Sequence, residues 1–206
     1  MKKKLLTIFI CLVMAVGLLP TVAFAAENYD LHVDGEQFTS EKLSIACGEG
    51  TASYDPHTKT LTLHNATINK DITANYGIKA SITDRLKIRL TGANTITRTD
   101  SGGGAGIHSD NAVEIIGNGT LTINVKGDTY DGISAGADVK ISDKAKVIIN
   151  SEGGLGIAGR LVEIDGATVN STGLYAGIDA HRLKIVNGAD VTLKATQDGR
   201  NGAYIW

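Results

Sequence analysis

The sequence predicts an all-β fold: a single right-handed parallel β-helix of about five coils, three short strands per coil, with an N-terminal β cap. Three observations predict it. Glycine is abundant and proline scarce, and short runs of Thr, Val, Ile and Leu alternate with Gly, Asn and Asp, a composition of strands and turns. A Gly-Ile pair recurs at Gly77-Ile78, Gly106-Ile107, Gly132-Ile133, Gly156-Ile157 and Gly177-Ile178, with a degenerate copy at Gly202-Ala203. Its spacings of 29, 26, 24, 21 and 25 residues are those of a solenoid. Finally, two further apolar runs follow each pair in constant order. A sandwich of hairpins would not repeat one three-part pattern in this way.

At the N-terminus, Lys2, Lys3 and Lys4 precede an apolar run from Leu5 to Leu19, and Ala23-Phe24-Ala25 supplies a small-x-small cleavage pattern. Residues 1–25 read as a secretory signal peptide. The run is short of the ~20 residues that a membrane span needs. Cys11 lies within it as an ordinary apolar position. Cleavage after Ala25 would leave 17 basic and 22 acidic residues, a net charge of −5, with no basic stripe of the kind nucleic-acid binding requires. It would also leave Cys47 as the single cysteine, expected to be a small buried hydrophobe with no disulfide partner.

Residues 26–75 are not a clean repeat and are assigned to the cap. They contain Leu31-His32-Val33, a turn at Asp34-Gly35, and a second turn at Tyr54-Asp55-Pro56-His57 with proline at its favoured position. Thr60-Leu61-Thr62-Leu63 resembles the third strand of a coil.

Residues 76–206 hold the coils. In the first strand, the Ile and the small residue two places on (Ala80, Ser109, Ala135, Gly159, Ala180) share one face and are placed inward. The second strand has an apolar-charged-Ile form: Leu86-Lys87-Ile88, Val113-Glu114-Ile115, Val139-Lys140-Ile141, Val162-Glu163-Ile164 and Leu183-Lys184-Ile185. Its outward charges alternate in sign at every coil, so each is expected beside opposite charges ~4.8 Å away. That sheet is expected to be structural, with any ligand elsewhere. The third strand runs through Ile96, Leu121-Thr122-Ile123, Val147-Ile148-Ile149, Val169 and Val191-Thr192-Leu193.

The cap phrase 51–56, the following Thr60-Leu61-Thr62-Leu63-His64-Asn65-Ala66, the Gly-Ile-x-small coils and Gly117-Asn118-Gly119-Thr120-Leu121-Thr122-Ile123 resemble the secreted "carbohydrate-binding domain-containing" β-helix proteins of clostridia and their relatives. The resemblance covers nearly all of the chain after the leader. It implies a secreted or cell-surface protein that binds cell-wall polysaccharide, with calcium in certain cases. No binding residue carries over with it.

Outward residues decide function, because a fold alone does not. Those flanking the small inward residue are Lys79 and Ser81, His108 and Asp110, Ser134 and Gly136, Ala158 and Arg160, Asp179 and His181. The densest polar group is Arg160, Asp179 and His181 on adjacent coils. It offers too few ligands for a structural zinc site, and it reads most simply as a solvated polar face. Gly102-Gly103-Gly104 lacks the Lys-Ser/Thr of a phosphate loop and reads as a turn.

Tyr76, Tyr130 and Tyr175 precede the Gly-Ile pairs of coils one, three and five. Alternate coils lie ~9.6 Å apart, close to the disaccharide repeat of an extended glycan. Each ring either shields a turn or offers its face to a sugar. The leading expectation is therefore a non-catalytic protein that binds polysaccharide, without a cofactor and without membrane insertion after leader removal. A passive structural or adhesive scaffold and a polysaccharide lyase or hydrolase are the alternatives.

Overall fold

The structure, a computed structural model, describes residues 25–70, 75–99, 103–127 and 130–206. The leader assignment, and part of the Gly102–Gly104 turn, lie outside them.

The chain begins with β1 (Asn28–Val33) and β2 (Glu36–Thr39), an antiparallel pair turning at Asp34 and Gly35, both with positive φ. Then β3 (Ser44–Cys47), β4 (Gly50–Asp55) and β5 (Thr60–His64) form an antiparallel meander, and β6 (Thr67–Ile68) follows. Phe38 and Tyr54 close the end of the core at a ring separation of 5.7 Å, with Tyr29 against Tyr54 at 5.6 Å. Glu36 bridges Lys42 and Lys70, and hydrogen bonds from these two ammonium groups hold its carboxyl down at about 2.

Coil one comprises β7 (Tyr76–Ala80), β8 (Leu86–Thr91) and β9 (Ala93–Arg98). Coil two comprises β10 (Gly104–Ser109), β11 (Val113–Gly117) and β12 (Thr120–Val125). Coil three comprises β13 (Tyr130–Ala135), β14 (Val139–Ile141) and β15 (Lys146–Ser151). In coil four, β16 (Ile157–Asp165) runs through the first two faces as one nine-residue strand before β17 (Thr168–Gly173). Coil five repeats this arrangement with β18 (Ile178–Val186) and β19 (Asp190–Ala195), and β20 (Ala203–Ile205) starts a sixth. The three-strand pattern therefore holds in coils one to three. Beyond them the corner between the first two strands opens into extended backbone, where the connection has shortened to Gly159-Arg160-Leu161 and Ala180-His181-Arg182.

Equivalent strands pair in parallel and in register. Ile78, Ile107, Ile133, Ile157 and Ile178 form one row, and Ala203 continues it. Ile88, Ile115, Ile141, Ile164 and Ile185 form a second, and Ile96, Ile123 and Ile149 belong to a third. The first four members of the second row are fully buried. Each fully buried Ile contributes roughly 1.5–3 kcal/mol of hydrophobic burial, which is what ties coil to coil.

The glycine of each pair has a packing reason. A Cβ on Gly106 would lie 2.4 Å from Ile123 Cγ2, and one on Gly132 would lie 2.2 Å from Ile149 Cγ2. In coils one to three the third-face isoleucine fills the space in front of the glycine, and in coil four Ser171 does.

Two sequence assignments change. β5 pairs in parallel with β8, Leu61 on Ile88 and Leu63 on Leu90, so Thr60–His64 is a second-face strand, not a third. β6 supplies the third face by pairing with β9. Alternation of Thr and Leu suits any face, and only the partner decides which one is used. The solenoid thus starts at Thr60, inside the segment assigned to the cap, and β1 covers the first face of coil one as an antiparallel strand.

Candidate functional site

The first face carries an outward row in register: Lys79, His108, Ser134, Ala158, Asp179 and Tyr204. Its neighbours sort into two clusters. At the N-terminal end, Tyr76 stacks on His108 with ring centroids 4.7 Å apart, and the Lys79 ammonium lies 5.6 Å over the Tyr76 ring. His108 Nε2 is 3.1 Å from Asp110 Oδ1. Hydrogen bonds from Ser81 and His108 hold the Asp110 carboxyl below its usual range.

The C-terminal end carries a hollow of about 370 Å³, lined by Leu155, Tyr175, Ala176, Asp179, Gly199, Arg200, Asn201 and Tyr204. Tyr175, Tyr204 and Trp206 are 42%, 55% and 67% exposed, an unusual concentration of open aromatic surface for a chain with few aromatics. The Arg200 guanidinium lies 5.8 Å over the Tyr175 ring. Trp206 Nε1 donates to Asp179 Oδ1 at 2.7 Å, and its ring packs against His181 at 3.7 Å. Nearby, Asp131 Oδ1 accepts the Leu155 N–H at 2.8 Å. Burial pushes the Asp131 carboxyl up, the Leu155 N–H opposes the shift, and the Asp179 charge reinforces it.

The predicted site residues are thus redistributed. Tyr130 is fully buried, so its ring is no outward platform; it pairs with Gly104, whereas Tyr76 pairs with Ala105, and this one-residue offset separates the two rings' environments. Tyr76 is half-buried against His108. Of the three tyrosines, only Tyr175 stands open beside the C-terminal hollow.

The polar group also divides. Asp179 and His181 both meet Trp206, but Arg160 Nε donates to Asp138 Oδ1 at 3.1 Å. Sequence reasoning missed Tyr204, Trp206 and Arg200 as partners. The signal for the first two was present: with Gly202-Ala203 as a sixth copy, Tyr204 falls beside Asp179 and Trp206 falls next to His181. Among the described residues no three His, Cys, Asp or Glu side chains converge as metal ligands. Cys47 is buried, and burial pushes its thiol up to about 11, which leaves it a poor nucleophile.

No protein-family model, curated protein or solved structure matches this chain. Among the described residues no helix is long and apolar enough to cross a membrane.

Proposed function

We propose that the protein is a secreted or cell-surface, non-catalytic binder of polysaccharide, and that the hollow between Tyr175 and Tyr204 is where a sugar seats. The observation that carries this reading is the pairing of open aromatic rings with fixed polar groups. Tyr175 and Tyr204 flank Asp179, Arg200 and Asn201 in one concavity. Aromatic faces suit sugar C–H surfaces, and a carboxylate, a guanidinium and an amide suit sugar hydroxyls. The Trp206 indole fixes the Asp179 carboxylate, which limits the ordering cost on binding. The resemblance to carbohydrate-binding β-helices points the same way.

Affinity electrophoresis through gels containing neutral wall glycans tests the reading. The wild type is expected to be retarded by at least one of them. Tyr175→Ala/Tyr204→Ala should weaken that retardation about tenfold, two stacking contacts at roughly 0.5–1.5 kcal/mol each. Both rings are exposed, so the variant should keep its far-UV circular dichroism. Undiminished retardation of the variant would reject the site.

A second reading, a passive structural or adhesive scaffold, is favoured by one feature. The last coil presents apolar side chains to solvent, with Ile185 45% and Ile205 49% exposed.

A further inference from the structure

The second face carries the charge row foreseen from the sequence, and it is in register throughout: Lys87, Glu114, Lys140, Glu163 and Lys184. The pairing along it is not uniform. Glu163 lies 3.3 Å from Lys140 and 3.1 Å from Lys184, so the C-terminal half is neutralised within the protein. At the N-terminal end Glu114 is engaged by Arg85 at 3.5 Å, from the loop before β8. Lys87 and, two residues along the same strand, Arg89 make no ion pair or side-chain hydrogen bond among the described residues.

These two cations lie in the floor of an open groove of about 680 Å³. Beside them on β5 stand the hydroxyls of Thr60 and Thr62, in register with Lys87 and Arg89. Ile116, nearly buried and in register with Arg89, and Tyr54 also line the groove. The groove also holds Lys140 and four carboxylates, three of them already partnered. Asp55 accepts from Thr58 Oγ1 at 2.8 Å, Glu114 faces Arg85, and Asp165 accepts from Asn187 at 2.5 Å; Asp143 stands at the far rim.

We propose that this groove is a second glycan site, for an acidic polysaccharide whose sparse carboxylates seat between Lys87 and Arg89. The proposal rests on the protein being a glycan binder, as argued above, but uses a different face. Two cations ~6.8 Å apart on one strand suit a carboxylate, with Arg89 able to take it bidentately. The threonine hydroxyls and the acidic far end suit the hydroxyls of neighbouring neutral sugars. The same far end repels a densely charged chain, so a polymer carrying one carboxylate per sugar or fewer is preferred to a sulfated one. The alternating charges suggested a structural sheet with any ligand elsewhere; the proposed ligand instead lies on its N-terminal half, at Lys87 and Arg89, and the C-terminal half, where the charges cancel, is left to structure.

The test is affinity electrophoresis of the protein in carboxymethylcellulose, alginate and hyaluronan, against neutral hydroxyethylcellulose and dextran and against dextran sulfate. Retardation is expected in at least one carboxylated polymer, exceeding that in dextran sulfate at equal charge, and weakened by added salt. Lys87→Gln/Arg89→Gln should lose about tenfold or more of it, as expected for removal of two charge-assisted contacts. Lys87→Arg/Arg89→Lys should keep most of it. Lys144→Gln/Lys194→Gln, which removes the same charge outside this groove, should leave it unchanged.

Three results would overturn the site: no carboxylated polymer binds, the Gln pair at 87 and 89 binds like wild type, or the control pair loses as much. Loss in the 87/89 variant accompanied by a changed melting temperature would be read against the Arg/Lys exchange, which keeps the charge. If the acidic polymers fail while a neutral glycan still binds through Tyr175 and Tyr204, this inference falls and the proposed function stands. If no glycan of either kind binds, both fall.

Discussion

The glycine before each isoleucine is the residue on which the coil most depends. At Gly132 a methyl group would meet Ile149 Cγ2 at 2.2 Å and the Gly156 carbonyl oxygen at 2.5 Å. A backbone oxygen in a paired strand has little room to retreat. Gly132→Ala is therefore expected to cost about 1–3 kcal/mol by overpacking, measured by urea denaturation, whereas Ser134→Ala, on an outward position, should cost little. Asp131 offers a second test. Its folded value is raised above the ordinary 3.8, chiefly by burial, so the folded state holds its proton more tightly than the unfolded state does. Stability then falls as pH rises from the unfolded value through the folded one. Asp131→Asn keeps an oxygen for the Leu155 N–H and removes the charge. It should raise the melting temperature at pH 7 and leave it nearly unchanged near pH 3. A rise of equal size at both values would contradict the electrostatic account.

Strands were easier to read from the sequence than their partners. The Gly-Ile rows, the apolar-charged-Ile rows and the alternating charges follow from a repeat of about 25 residues, because each coil offers its neighbour the same pattern. Their register in the structure is the one that spacing implies. Thr60–Leu63 was misplaced because Thr-Leu alternation marks a half-buried strand without marking a face. Arg98 gave no signal of its position. It occupies an inward row with Val125 and Ser151, is 1% exposed, and donates to the Lys70 carbonyl at 2.8 Å. A guanidinium in that row is stabilised by a contact 28 residues away in the chain, which no local pattern reveals. The charge row itself is testable. Lys140→Glu would set a third carboxylate between Glu114 and Glu163 and near Asp165, and is expected to cost about 1 kcal/mol at low salt. Lys140→Met, which removes the attraction without adding repulsion, should cost less. The gap between the two should narrow in high salt, since the row is partly exposed; a gap insensitive to salt would contradict the pairing.

For the molecule as a whole, the solenoid converts sequence spacing into position. Residues about 25 apart in the chain stand side by side, so small changes from coil to coil write a pattern on each face. The three tyrosines do not form one platform: Tyr76 is offset by one residue from Tyr130, and Tyr130 and Tyr175, although both stand two residues before their Gly-Ile pairs, differ in burial, Tyr130 lying in the core and Tyr175 standing open on the last coil. The aromatic hollow escaped notice because two of its parts, Tyr204 and Arg200, lie in and before the degenerate sixth copy. The central claim is that this hollow on the first face holds a sugar. Heteronuclear NMR of the protein titrated with a neutral oligosaccharide, chosen by its binding on a glycan array, tests it most directly. The account predicts saturable shifts of the Tyr175, Asp179, Asn201 and Tyr204 amides and of the Arg200 side chain. Saturable binding that leaves all five unmoved, or an array on which no glycan binds, would contradict it.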